Sequence, residues 1–326
     1  MIHLWKQIPE VEQGLLRVQD RLKTELNRLP QALRQPLRKL LNNPGKGLRP
    51  GLVLLAAASG SAPRSVDDLA AAAELLHLAS LIHDDIVDSA QLRRGEVAFH
   101  RQVGVPSALL YGDLLFAACF HLVSAEVSRP SASALAAIVT LMAGSELQQQ
   151  QDLFRPHHSL RHVLRKTMGK TAALMSLCLY SGAVESGQPA QTCQLYRRAG
   201  YALGMAFQIR DDLLDFSSTE KLLGKPAGHD LKQGVYSVPV ILALHKEYLQ
   251  GKSTLKDLLA SPEKMSRPAP LTRALALIRQ SGALEDAEAL VQRYTQRALH
   301  SLEQLDLDQP RQVLRQVCQD LATRPR

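Results

Sequence analysis

The stretch Leu78-Ala79-Ser80-Leu81-Ile82-His83-Asp84-Asp85-Ile86-Val87-Asp88 ends an apolar run on three aspartates. A second stretch, Gly204-Met205-Ala206-Phe207-Gln208-Ile209-Arg210-Asp211-Asp212-Leu213-Leu214-Asp215, repeats the spacing far downstream. On a helix, residues four apart share a face, so Asp84 stacks over Asp88 and Asp211 over Asp215. Like charges so placed repel, and burying them without partners costs several kcal/mol more. A chain that sets up this conflict twice calls for a cation to resolve it. Mg²⁺ takes carboxylate oxygens and shares them with substrate phosphates, so the expectation is two acidic walls around a metal-bound, phosphate-bearing substrate.

Working outward, the chain has 326 residues, 45% hydrophobic and only 4% aromatic. Alternating β-branched runs are scarce, and the Ala- and Leu-rich remainder favours helices over sheets. Helical periodicity is expected over residues 10–29, 52–58, 67–88, 106–127, 131–153, 159–182, 189–216, 238–249, 269–282, 284–305 and 310–322, with loops at 217–234 and around 261–267. No repeat beyond the aspartates and no shift in composition marks a linker. One large all-α domain over residues 1–326 is the economical reading.

The formal charge of +8 admits anionic partners. The Lys and Arg are scattered with no aromatic-interleaved basic block, which argues against nucleic acid. Cys119, Cys178, Cys193 and Cys318 form no CxxC pair and lie in apolar surroundings, so they read as core thiols rather than zinc ligands. Neither a secretory leader nor an uninterrupted run of roughly 18 apolar residues is evident. The expectation is a soluble, cytoplasmic chain with no stable membrane insertion.

Basic elements cluster around the acidic ones. Arg93-Arg94-Gly95 follows the first group, where adjacent guanidiniums suit phosphate oxygens. In Pro44-Gly45-Lys46-Gly47-Leu48-Arg49-Pro50, glycines let the backbone approach an anion while Lys46 and Arg49 supply charge. It is not a P-loop, because the Gly spacing and the Lys-Ser/Thr ending are wrong. Lys170-Thr171 sits in an apolar stretch where an unpaired ammonium is costly unless it meets a carboxylate or phosphate. Lys225, after Gly224, follows the second acidic group, and His77 stands about two turns before Asp84. Taken singly, a lysine of this kind is as often exposed, and a histidine more often a core residue.

Together these blocks resemble the trans-isoprenyl diphosphate synthases. The two aspartate motifs carry the resemblance, and Gly45-Lys46-Gly47-Leu48-Arg49-Pro50, Gly144-Ser145-Glu146-Leu147-Gln148, Lys170-Thr171 and Gly224-Lys225-Pro226 follow in the family's order over roughly residues 40–245. The resemblance implies an all-α bundle around a deep central cavity and a homodimer. It implies head-to-tail condensation of isopentenyl diphosphate with an allylic diphosphate, with about three Mg²⁺ per active site. Metal coordination would fall to Asp84, Asp88 and Asp211, supported by Asp85, Asp212 and Asp215. The allylic diphosphate would meet Arg93, Lys170 and Lys225, and isopentenyl diphosphate would meet Lys46, Arg49, His77 and Arg94. Thr171, Gln208 and the Lys170 carbonyl would stabilise the carbocation. Two departures stand out: Gly47 replaces a frequent Arg, and Gly234-Val235-Tyr236-Ser237 lacks the lysine many members carry.

Product length follows from side-chain size. In the family, bulky aromatics four and five residues before the first aspartate stop the chain at farnesyl, whereas this sequence has Ser80 and Ala79 there. Leu75, Leu76, Leu115, Ala118 and Cys119 are candidates for a deeper floor. A product longer than farnesyl, in the range of quinone side chains, is expected. The alternatives are a short-chain farnesyl or geranylgeranyl synthase, a non-catalytic subunit of a heteromeric synthase, and a class I terpene cyclase. The intact aspartates weigh against the subunit, and the Gly-Lys-x-x-Arg-Pro block against the cyclase.

Overall fold

The computed structural model describes residues 5–42, 47–58, 60, 63–93, 95–217, 228–305 and 308–322. Lys46, Arg94 and Lys225, three of the expected anion-binding residues, lie outside the described residues. Among those described, helices account for nearly all regular structure, beside one two-stranded ribbon. The all-α expectation therefore holds.

The chain divides into two compact units, the first made of Met1–Ala136, Met175–Gly200 and Ser301–Val317, the second of Ala137–Leu174, Tyr201–His300 and Cys318–Arg326. In the first unit, α1 (Pro9–Asn27), α2 (Gln31–Asn42) and α3 (Leu48–Ala57) precede α4 (Arg64–Val87), the helix that leads into the first aspartates. A ribbon of β1 (Leu92–Arg93) and β2 (Glu96–Val97) follows, with Leu92 opposite Val97 and Arg93 opposite Glu96. Then come α5 (Phe99–Val103) and α6 (Val105–Glu126), after which α7 (Arg129–Gln151) crosses from the first unit to the second.

Helix α4 is apolar nearly all round, and such a helix belongs in a core. Leu69, Leu75, Leu76, Leu78, Ala79 and Ile82 are buried there against α6, α3 and α1. Its first turn is pinned electrostatically. The Arg17 guanidinium forks onto Asp67, with Nε at 2.6 Å and Nη2 at 3.2 Å, and Arg21 pairs with the buried Asp68. Aspartates in a helix's first turn also meet the positive end of its dipole.

In the second unit the chain continues through α8 (Leu160–Thr167), a π turn (Met168–Ala172), and α9 (Ala173–Glu185), which returns to the first unit. Helix α10 (Ala190–Ser217) carries the second aspartates, and α11 (His229–Lys232) and α12 (Val238–Leu249) follow. The remaining helices are α13 (Thr254–Leu259), α14 (Pro262–Met265), α15 (Pro268–Gln280), α16 (Ala283–Glu303) and α17 (Asp308–Ala322). Two of them anchor the end of α10: Arg279 Nε donates to the Phe216 carbonyl at 2.9 Å, and Arg210 pairs with Glu288 at 2.5 Å.

Besides the short α5, α11 and α13, which the expected pattern did not contain (α11 lies in the loop expected at 217–234), four features depart from it. Helix α2 contains Pro36, whose missing N–H conceals a helix that its apolar face nonetheless forms. The expected polar loop after Asp88 is the ribbon, turned where Gly95 adopts φ 81°. The loop expected around 261–267 holds the short α14. The continuous helix expected over 159–182 is interrupted by the π turn. All four cysteines are buried free thiols, and burial pushes Cys119, Cys178 and Cys318 up to about 12.

Candidate active site

In the first unit α4 ends at Val87, and the Asp88 N–H donates to the Asp84 carbonyl at 2.8 Å as the helix closes. Asp84 and Asp88 are partly exposed, whereas Asp85 is buried and sits 3.4 Å from Arg93 Nη1. Arg93 is thus held by the ribbon against the middle carboxylate. Both line a cavity of about 90 Å³ with Lys39, Leu78, Ile82 and Phe99.

Arg49 lies half-buried in the first turn of α3. The glycine that departs from the family pattern has a local reason: Gly47 begins α3 with φ 58°, a left-handed conformation that costs glycine little. His77 is partly exposed on α4, and its carbonyl accepts from Ser80 Oγ at 2.8 Å. That bond turns the Ser80 hydroxyl back on the helix. Ser80 is partly exposed, while Ala79 is fully enclosed.

The second unit gathers the remaining expected residues around the π turn. A π turn inside a helical run is a frequent mark of a functional site. Here two glycines let helices close on it from two sides. A Cβ on Gly204 of α10 would lie 2.4 Å from Ala172 Cα, and one on Gly169 would lie 1.7 Å from Ser145 Oγ of α7. The close approach brings Thr171 Oγ1 within 2.6 Å of Gln208 Oε1, to which it donates. Gln208 Nε2 in turn donates to Asp212 Oδ1 at 3.1 Å.

Lys170 Nζ meets Glu146 Oε2 at 2.9 Å, so the carboxylate that its apolar setting required comes from α7. Burial acts to raise Glu146, but the Lys170 charge and bonds from Lys170, Gln150 and Gln149 outweigh it and hold the carboxyl below its ordinary value. Glu146 was visible in the sequence as part of a motif, yet the motif did not disclose its partner.

Asp211 and Asp215 are partly exposed and Asp212 is buried. Burial above all, with the charges of Asp230 and Asp211, raises Asp212 to about 7, although Gln208 and the Val238 N–H oppose the shift. Burial and the Asp230 charge raise Asp215 to about 6 against backbone bonds from residues 228–230. Asp230 is thus a fourth carboxylate of this group that the Asp-x-x-x-Asp spacing does not contain. Asp215 Oδ2 is buried and has no hydrogen-bond partner among the described residues. Crowded carboxylates and an orphaned oxygen are the donor set a hard divalent cation requires.

The chain resembles known proteins in both sequence and fold. The polyprenyl synthetase family matches residues 30–278. The chain is 37% identical to heptaprenyl diphosphate synthase component 2 of Geobacillus stearothermophilus, over 89% of this chain and 91% of that protein. The fold superposes on a polyprenyl synthase from Caulobacter crescentus, solved with calcium and isoprenyl diphosphate, with a TM-score of 0.90 and 30% identity, over 100% of this chain and 98% of that one. A geranylgeranyl pyrophosphate synthase from Lactobacillus brevis gives a TM-score of 0.88 and 32% identity, with 99% of each chain covered. The chain belongs to the polyprenyl synthetase family and is a prenyltransferase.

Proposed function

We propose that the chain is a trans-polyprenyl diphosphate synthase that condenses isopentenyl diphosphate head to tail onto an allylic diphosphate and releases a product longer than farnesyl. The observation that carries the reading is the second carboxylate group, where Asp212 and Asp215 sit far above the ordinary aspartate range and one buried oxygen of Asp215 has no hydrogen-bond partner among the described residues. Residues 1–326 act as one catalytic domain, since the unit boundaries fall within α7, α9, α10, α16 and α17 rather than at linkers.

Asp84, Asp85 and Asp88, and likewise Asp211, Asp212 and Asp215, would hold Mg²⁺, about three ions in all. Bound Mg²⁺ supplies charge neutralisation on the departing diphosphate, which is otherwise a poor leaving group. Arg93 and Lys170 are released from Asp85 and Glu146 to meet diphosphate oxygens, and Lys225 joins them. Lys46, Arg49, His77 and Arg94 bind isopentenyl diphosphate. Gln208 fixes the Thr171 hydroxyl so that its oxygen dipole faces the allylic cation. The allylic carbon–oxygen bond breaks as diphosphate leaves, the isopentenyl double bond attacks the resulting cation to form the new carbon–carbon bond, and the departed diphosphate takes the proton whose loss restores the alkene.

The product grows past Ser80, whose tied hydroxyl and small volume leave room that an aromatic ring would take. A length in the range of quinone side chains fits the small side chains at Ala79 and Ser80 and the heptaprenyl relative. A subunit of a heteromeric synthase is the second reading, favoured by that relative's description as a component. The test is the purified chain alone, incubated with Mg²⁺, isopentenyl diphosphate and geranyl, farnesyl or geranylgeranyl diphosphate. Polyprenyl products identified by mass support the proposal. Absence of elongation from every starter sinks it in favour of a subunit.

The chain also pairs with a second copy. Val105, Leu109, Leu110 and Phe120 of α6 are large apolar side chains left exposed. Helices Val105–Glu126 and Arg129–Gln151 are long and apolar enough to cross a membrane, with only 39% and 17% of their apolar windows buried. A soluble, cytoplasmic homodimer covers these faces with protein. Light scattering of detergent-free protein would show twice the chain mass, whereas a lone chain or a detergent requirement would refute the dimer.

A further inference from the structure

Away from the residues assigned above, the turn between α7 and α8 gathers three metal-ligating side chains. Asp152 follows the end of α7, His158 precedes the Ser159 cap of α8, and His162 lies in the first turn of α8. His162 Nε2 is 2.6 Å from Asp152 Oδ2, and His158 Nε2 is 3.2 Å from Asp152 Oδ1. The two imidazoles stack with centroids 4.2 Å apart and planes 9° from parallel. One ligand atom from each of the three residues lies within 4.8 Å of the others.

Two details set this cluster apart from an ordinary hydrogen-bonded one. His158 Nε2 is buried and, despite its closeness to Asp152, makes no hydrogen bond among the described residues. Asp152 is itself buried, so its charge is taken out of water beside the two imidazoles and the buried Lys166 ammonium. His158 lies just outside α8, so it is the turn before the Ser159 cap, not a shared helix face, that brings its imidazole beside that of His162. His158 also lines a cleft of about 870 Å³ together with Arg161, His245, Glu247 and Lys256, which gives an ion a route in from solvent.

We propose that Asp152, His158 and His162 form a binding site for a borderline divalent metal of the Zn²⁺ class, separate from the Mg²⁺ sites. Two imidazoles and one carboxylate suit Zn²⁺, Co²⁺ or Fe²⁺ and disfavour Mg²⁺, which prefers an all-oxygen shell. Three protein ligands leave at least one position for water. Bound there, the ion clips the end of α7 to the start of α8, the segment that leads into the π turn. Arg155 and Lys166 lie near enough to weaken the site electrostatically without supplying a competing ligand.

The experiment is a Co²⁺ titration of the untagged full-length chain with Mg²⁺ in excess, followed by visible absorption and X-ray absorption. A single equivalent of Co²⁺ with nitrogen ligation, displaced by Zn²⁺, is expected. Changes to groups behind metal ligands already cost roughly 10–100-fold in affinity, so the double variant His158→Ala/His162→Ala weakens binding by more than about 100-fold. Saturating Zn²⁺ raises the wild-type Tm by a few degrees and leaves that of the double variant unmoved. No bound Co²⁺, an all-oxygen shell in the wild type, or unchanged affinity in a folded variant overturns the proposal. Should the double variant not fold, Asp152→Asn is read in its place, and the wild-type ligation spectrum decides in any case. None of these readouts depends on prenyl transfer, so failure here leaves the proposed reaction untouched.

Discussion

Thr171 donates its hydroxyl hydrogen to Gln208 at 2.6 Å, and Gln208 passes a second hydrogen bond to Asp212 at 3.1 Å. One amide thus orients the hydroxyl proposed to face the allylic cation and braces a carboxylate proposed to hold metal. Gln208→Ala removes both functions at once. One preorganised dipole of this kind is worth about 100–1000-fold in rate when it acts directly on the developing charge, so the loss of its orienting partner should lower single-turnover prenyl transfer by at least about tenfold. An unchanged single-turnover rate would show that Thr171 needs no orienting partner.

Gly204 and Gly144 make a matched pair of substitutions. At Gly204 an added methyl meets the Ala172 backbone at 2.4 Å, so Gly204→Ala forces α10 away from the π turn and should cost about 1–3 kcal/mol. At Gly144, exposed on α7, nothing lies within 4 Å of the new methyl. Gly144→Ala should stabilise the helix by up to about 1 kcal/mol. Denaturant midpoints of the two variants should move in opposite directions, and a common direction would contradict the close-approach argument.

The Asp212 pKa has a signed consequence for stability. With metal chelated, the folded chain keeps on Asp212 a proton that the unfolded chain releases above about pH 4. The unfolded state then binds fewer protons, so this group's contribution falls as pH rises from about 4 through about 7 and is level beyond. Asp212→Asn should flatten that part of the Tm–pH curve. Mg²⁺ competes with protons for the same carboxylates, so it should raise the wild-type Tm more at pH 8 than at pH 5.5. Identical curves for wild type and variant would assign the pH dependence elsewhere.

Glu146→Gln leaves Lys170 with a weak partner in place of an ion pair 2.9 Å long. If Glu146 positions Lys170 for the allylic diphosphate, kcat/KM for that substrate should drop about tenfold. The KM for isopentenyl diphosphate should stay near wild type. Equal losses for both substrates would make Glu146 a general structural residue instead.

Ser80→Phe should shorten the product toward farnesyl, because Ser80 is partly exposed and its hydroxyl is already satisfied by the His77 carbonyl. Ala79→Phe is the poorer probe, since Ala79 is enclosed and a ring there overpacks α4. Mass analysis of the Ser80→Phe products checks the point, and an unaltered length would move the floor elsewhere.

The helical character of the chain was legible because apolar residues recur at the helical period and because few residues favour strands. Helix α2 escaped notice since Pro36 breaks the pattern that its apolar face otherwise follows. The ribbon escaped because two residues per strand carry no periodicity. The aspartates announced themselves as a charge conflict, and Lys170 as an ammonium in need of a counter-charge.

The sequence by itself determined which chemistry the chain carries: six aspartates in two spaced groups, with lysines and arginines between them, admit few readings besides metal and diphosphate. Only the tertiary structure decided which groups answer one another. Glu146 reaches Lys170 across 24 residues of chain, Asp230 loads its charge onto Asp212 and Asp215, and Gln208 joins Thr171 to Asp212. The physical reason is that spacing fixes neighbours only within a helix. Contacts between helices depend on how closely two backbones pack, and at the π turn that closeness is set by two missing methyl groups, at Gly169 and Gly204.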